Sequence, residues 1–177
     1  MFLNWLDAHI SIESLSWLFL AVFMIHDLEE IIWIEPWFKK NYTKVSHMVP
    51  STVQPMLKSM TSITSSQFAV AVGIEFILFI PITFLAAEYH QFLIFIGVNS
   101  ILFLHVFTHV GQSLSIKMIT PGVITAIFIV LPYSVYLFYR LLNEGLIDWN
   151  LILLSIPIGL LIIPVVLVGH FIGKRIV

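Results

Sequence analysis

The chain has 177 residues, with eight Lys plus Arg, ten Asp plus Glu and no cysteine. Apolar residues make up 59% and charged residues 10%, at a mean hydropathy of +1.02. A soluble domain carries roughly 25% charged residues, so a water-facing globule is excluded and one small membrane domain, residues 1–177, is expected. The near-neutral charge offers no basic field for nucleic acid. Without cysteine there are no disulfides, thiolate metal sites or Cys nucleophiles, and the chemistry is left to His and carboxylates.

In chain order, five stretches reach the roughly 20 apolar residues that a span requires: Leu15 to Ile34, Phe68 to Ala87, Phe92 to Val110, Ile119 to Tyr139 and Leu151 to Ile172. They predict an all-α polytopic membrane protein with five transmembrane helices. No Lys or Arg precedes the first stretch and no small-residue cleavage pattern follows it, so it reads as a retained helix rather than a signal peptide. Residues 35–67 form the one long connection; with Pro36, Pro50, Pro55 and the Ser/Thr-rich run Thr61 to Ser66, it reads as a loop holding a short surface helix. Lys39, Lys40, Lys44, Lys58, Lys117, Lys174 and Arg175 fall on one side of this arrangement and Arg140 alone on the other. By the positive-inside rule the N-terminus is outside, and the 35–67 loop and C-terminus are cytosolic. Trp5, Trp17, Trp33, Trp37 and Trp149 stand near span ends as interface anchors, and Pro81, Pro121, Pro132, Pro157 and Pro164 read as helix kinks.

The informative residues are the ionisable ones inside the spans: His26, Asp27, Glu29, Glu30, Glu75, His105, His109 and His170, with Asn99 as a further polar group. A charge at the centre of a membrane helix costs on the order of 3 kcal/mol even on the lenient insertion scale, so these groups are expected to face inward and meet. At about 100° per residue, His26, Glu29 and Glu30 fit one arc of the first span, with Asp27 expected to point elsewhere. His105 and His109, four residues apart, share a face of the third span that Gln112 continues. Thr125, Tyr133 and Tyr136 are the fourth span's contribution. Thr120-Pro121-Gly122 at its start offers unwound backbone that can approach the site.

A divalent metal neutralises carboxylates and takes up imidazole lone pairs, and His with Glu is a common ligand set for zinc or non-haem iron. His26-Asp27-Leu28-Glu29-Glu30 is analogous to the H-x-x-E-H arrangement of inverzincins, with Glu30 in place of the second His. On that analogy His26 and Glu30 bind metal, and Glu29 is the general base for a metal-bound water. Glu75, His105, His109 and His170 are the further candidate ligands for one or two ions, zinc before iron. Asn99, Gln112 and Thr125 are candidates for the surrounding hydrogen-bond shell. Ser100, Thr108, Ser113 and Ser115 are helpers at most, and His9, His47 and His90, in or near loops, carry no assigned chemistry. No G-x-S-x-G elbow, phosphate loop or dinucleotide fingerprint occurs.

With its motif at His26-Asp27-Leu28-Glu29-Glu30, the later His105-x-x-x-His109 pair and the Pro121-Gly122 opening of the fourth span, the sequence resembles the HXXEE family of small bacterial membrane proteins. The resemblance implies a bacterial cytoplasmic membrane and roles for His26, Glu29 and Glu30, but no particular reaction. The leading expectation is an intramembrane metal-dependent hydrolase acting on a lipid or other hydrophobic small molecule. The alternatives are oxidative chemistry at non-haem iron, a proton or metal-ion transporter, and a structural membrane subunit.

Overall fold

The computed structural model describes residues 2–177, and among them the fold is all-helical. The helices are α1 (Phe2–His9), α2 (Ile12–Ser46), α3 (Gln54–Met60), α4 (Ser65–Tyr89), α5 (Phe92–Ile116), α6 (Val123–Asn143), α7 (Trp149–Gly159) and α8 (Ile162–Ile176). Helices α4, α5, α6 and the α7–α8 segment are long and apolar enough to cross a membrane, which marks an integral membrane protein. A fifth span is present if α1 and α2, bent by 102° at their junction, are counted as one. Large apolar side chains such as Ile77, Phe128 and Leu153 lie on the outside of the bundle, at 69%, 74% and 66% exposure, as lipid-facing groups should.

Three departures from the expected boundaries shape the bundle. The first helix does not end at Ile34: α2 continues through Pro36 to Ser46, and only α3 and its flanking turns remain of the expected loop. Proline disfavours such a continuation, but Phe38 and Val45 are buried in a second apolar cluster with Leu57 of α3 and Ile116 of α5. That tertiary burial holds the extra turns. The fourth helix begins at Val123 rather than Ile119, because Lys117 and Gly122 have φ of 53° and 83°. Ser113 pins this turn, accepting the Thr120 N–H at 3.2 Å and bonding its hydroxyl at 2.6 Å. The last span is broken at Leu160–Leu161, where the ring of Pro164 would clash with the carbonyl four residues back, that of Leu160. Proline acts in α6 as well: a π-helical turn, Ala126–Val130, stands immediately before Leu131 and Pro132, the sort of bulge that accommodates an interrupted hydrogen-bond ladder.

Helix α2 packs on α4, α4 on α8 and α5 on α7, while α6 lies against both α2 and α5. Small residues allow the close pairs, as in other membrane bundles. A Cβ on Gly97 of α5 would stand 2.6 Å from the Ser155 carbonyl of α7, and one on Gly169 of α8 would stand 2.9 Å from the Ala71 Cα of α4. The core is centred on Phe19, Phe23, Phe79 and Phe95, whose rings meet edge-on or tilted at 4.8–6.2 Å. At one end of the bundle the buried Arg140 donates to Asp7 at 3.2 Å, to the Ile10 carbonyl at 3.3 Å and to Glu144 at 2.5 Å. These bonds fasten α1 and the α1–α2 corner to the end of α6.

Candidate metal centre

Successive turns of α2 carry His26 and Glu30, and successive turns of α5 carry His105 and His109. Each pair is separated by four residues and so shares a helix face. Packed together, the four residues bring one donor atom each to within 4.8 Å of all the others. His109 Nε2 lies 2.8 Å from His105 Nε2 and 3.1 Å from Glu30 Oε1. The His26 ring stands edge-on to those of His109 and His105, with centroids 5.0 and 5.5 Å apart. His26 and His109 are only 2% and 4% exposed. Around an ion with metal–nitrogen bonds of about 2.0–2.1 Å, tetrahedral donors sit about 3.3 Å apart, so binding an ion would require the His105–His109 pair, at 2.8 Å, to open and the wider pairs, up to 4.8 Å, to draw in.

Hydroxyl groups set the protonation of two of the imidazoles. Thr125 has one hydroxyl proton, and its shortest bond as donor is 2.6 Å to Glu29 Oε2. The same Oε2 accepts the Thr125 N–H at 2.8 Å, so Glu29 acts as an acceptor carboxylate. Thr125 Oγ1, 2.9 Å from His26 Nδ1, must therefore accept from it. That places the His26 proton on Nδ1 and leaves a lone pair on Nε2, an atom that is buried without a hydrogen-bond partner. His105 repeats the arrangement within α5. The Thr108 hydroxyl donates to the His105 carbonyl at 2.7 Å and lies 3.2 Å from His105 Nδ1, so Nδ1 carries the proton and Nε2 the lone pair. Fixing a ligand histidine through its other ring nitrogen is a regular feature of metal sites.

The opening of α6 closes the cluster, as the Thr120-Pro121-Gly122 signal suggests. A Cβ on Gly122 would meet the His109 ring and stand 2.8 Å from Glu30 Oε1. With φ at 83° as well, only glycine lets this backbone approach the two donors.

The other candidate residues divide. Glu29, expected as the general base, is engaged by Thr125, whose hydroxyl and backbone N–H, one of the free N–H groups at the start of α6, both donate to it. Thr125, the candidate for the hydrogen-bond shell, lies between His26 and Glu29. Glu75, His170 and Gln112 line a cavity of about 320 Å³ that begins at the cluster and runs between α2, α4, α5 and α8, but Glu75 and His170 are not among the four grouped donors. The His170 ring packs on Phe68 with centroids 5.3 Å apart. Asp27 does not point elsewhere: it is buried and lines the same cavity, with Oδ2 lacking a partner. Asn99 donates to the Phe95 carbonyl of its own helix at 2.8 Å and does not line the cavity. Tyr133 and Tyr136 belong to the Arg140 end of the bundle, where they donate to the Leu15 carbonyl and to Asp7. Thr108, a helper at most in the sequence, is brought to His105 by its spacing of three along α5.

Fold and site together define a helical membrane protein with an interior His/Glu cluster of metal-binding geometry. The model of a family described as "Protein of unknown function with HXXEE motif" matches residues 17–137. That is more than half of the chain, which belongs to the HXXEE family. The matched stretch contains all four clustered donors together with Glu29, Gly122 and Thr125, and leaves out α7, α8 and His170. No curated protein and no solved structure matches the chain.

Proposed function

We propose that His26, Glu30, His105 and His109 bind one divalent metal ion, and that the protein is a membrane-embedded metal-dependent enzyme acting on a hydrophobic molecule held in the adjoining cavity. The observation that carries the reading is the donor set itself: three imidazoles and one carboxylate within 4.8 Å of one another, two of the imidazoles held by hydroxyls with Nε2 unprotonated. A cluster kept only for packing has no need of a His26 Nε2 lone pair turned into the interior, where it meets no hydrogen-bond donor. Chain orientation follows the basic residues, with the α3 end and the C-terminus in the cytosol of a bacterial cell.

The donor count bears on the reaction. Catalytic zinc keeps three protein ligands and an open fourth position, whereas four protein ligands close the tetrahedron. Glu29, the expected base, is also committed to Thr125. An iron ion with six positions retains two beyond these four donors, which supports oxidative chemistry, with dioxygen as oxidant, over hydrolysis through zinc-bound water. Asp27 and Glu75 are the carboxyl groups left free along the cavity to handle protons.

Elemental analysis of the purified protein tests the reading. About one iron per chain is expected, lost in His26→Ala, Glu30→Gln, His105→Ala and His109→Ala while helicity by circular dichroism is kept. Stoichiometric zinc would return the reaction to hydrolysis. A protein that takes up no ion from metal-supplemented medium, with variants that lose only stability, would make the cluster a packing device and end the enzymatic reading.

A further inference from the structure

Beyond the first cavity, a second of about 410 Å³ runs between the C-terminal half of α2, α3, the end of α5 and the turn before α6. The two share Glu30, Ile34, Met60, His109 and Gln112 in their walls. Glu30 and His109 of the cluster thus stand at the boundary between the two cavities, while His26 and His105 line the first alone. Along α2 the first cavity reaches from Phe19 to Ile34 and the second from Glu30 to Val45. At 1.5 Å per residue the pair extends over about 39 Å of helix, with Glu30 about 16.5 Å from one end and about 22.5 Å from the other.

We infer that the ligand of this site is a single long hydrocarbon chain lying along α2, with the cluster beside its interior and its polar end at α3. Three observations converge on this class. Each cavity is small by ligand-site standards of roughly 300–1,000 Å³, and two small cavities in line along one helix suit an extended molecule better than a compact one. The end of the first away from the cluster is lined by Phe19, Phe23 and Phe79, with the carboxyl groups of Asp27 and Glu75 nearer the cluster, and this apolar end suits a terminal alkyl segment. The second is walled by Trp37, Phe38, Val49, Leu57 and Ile116 and has no charged group apart from Glu30 at the junction. A polar headgroup therefore finds its place beyond this stretch, at the outer edge by Val53 and the exposed Met56. The bond presented to the cluster then lies within the chain and not at its head. The inference deepens the reading proposed above and takes its chemistry from it, but the shape of the site stands without the metal.

The test uses the full chain in lipid nanodiscs, with the fluorescent polyene cis-parinaric acid as probe and saturated fatty acids of increasing length as competitors. Two plugs at half-buried positions keep the core intact: Val53→Trp in the cavity under α3 and Val166→Trp in the cavity beside α8. Affinity is expected to rise with competitor length until both arms are filled. Each plug should weaken long competitors by about tenfold or more, the loss expected when one arm's apolar burial is removed. Short competitors should respond to one plug only. Equal binding of short and long acids, or long-chain binding unchanged by either plug, would overturn the inference. Repeating the titration after chelation separates the two readings: length dependence that persists in a protein found to bind no metal would sink the metal site alone.

Discussion

Thr125→Val tests the cluster without touching a proposed ligand. The substitution keeps the shape of the side chain and deletes one oxygen, which removes two bonds: His26 Nδ1 to Oγ1 at 2.9 Å and Oγ1 to Glu29 Oε2 at 2.6 Å. The backbone N–H of Thr125 still reaches Glu29 at 2.8 Å, so the start of α6 stays capped. A charge-assisted hydrogen bond is worth about 1.5–3 kcal/mol in water-soluble proteins, but interhelical bonds in membrane bundles average about 0.6 kcal/mol and reach about 1.7. A loss of about 1–2 kcal/mol in stability is therefore expected, read by unfolding in mixed micelles of increasing denaturing detergent. The larger effect should fall on the ion. With Nδ1–H unheld, His26 is free to rotate or change tautomer, and loss of such a support weakens metal binding by about 10–100-fold. Competition against a chelator of known affinity measures this directly, and Thr125→Ser should restore most of it. If Thr125→Val holds its metal as tightly as the unaltered protein, the hydroxyl does not set the His26 tautomer, and the argument for a prepared ligand set fails.

Other outcomes follow from the packing and the topology. Gly159→Ala would push a methyl group into the Gly97 backbone, which lies too close to move aside cheaply, and should weaken the α5–α7 pair by about 1–3 kcal/mol, the usual cost of overpacking. Gly111→Ala has nothing within 4 Å of the added carbon and should be neutral or stabilising by up to about 1 kcal/mol through helix propensity; similar losses in both would refute the close-packing argument. Because the chain has no cysteine, single cysteines at Ser59 and Gly145 can be labelled without background. In intact bacterial cells a membrane-impermeant maleimide should reach Gly145→Cys and not Ser59→Cys, and the reverse would invert the orientation drawn from the basic residues.

Much of the cluster was legible from spacing alone. His26 with Glu30, and His105 with His109, are four apart on stretches too apolar to hold charges idly, so helical geometry brought each pair to one face. What spacing could not supply was the partner across the bundle. Glu29 lies within the arc of His26, but its task is fixed by Thr125, 96 residues later in the chain, so its place in the motif suggested a base where the fold makes a cap. Asp27, expected to point elsewhere, stands about 60° beyond Glu30 around the helix and still reaches the space between α2 and α4. The length of α2 was hidden by Pro36, a local stop signal overridden by burial of Phe38 and Val45 against helices distant in sequence. At Pro164 no such burial intervenes, and the expected interruption appears as a break between α7 and α8.

The 35 residues of α2 make a rod of about 52 Å, against a hydrocarbon layer of about 30 Å. Both arms of the proposed ligand path and half of the cluster are mounted on that one unbroken rod, while the last span is jointed at Leu160–Leu161. In a thinner or thicker bilayer the accommodation described for mismatched helices, tilting or bending, falls to the jointed element. The spacing between the cluster and the α3 end of the bundle is therefore set by peptide geometry, and should stay constant across lipids that differ in acyl length.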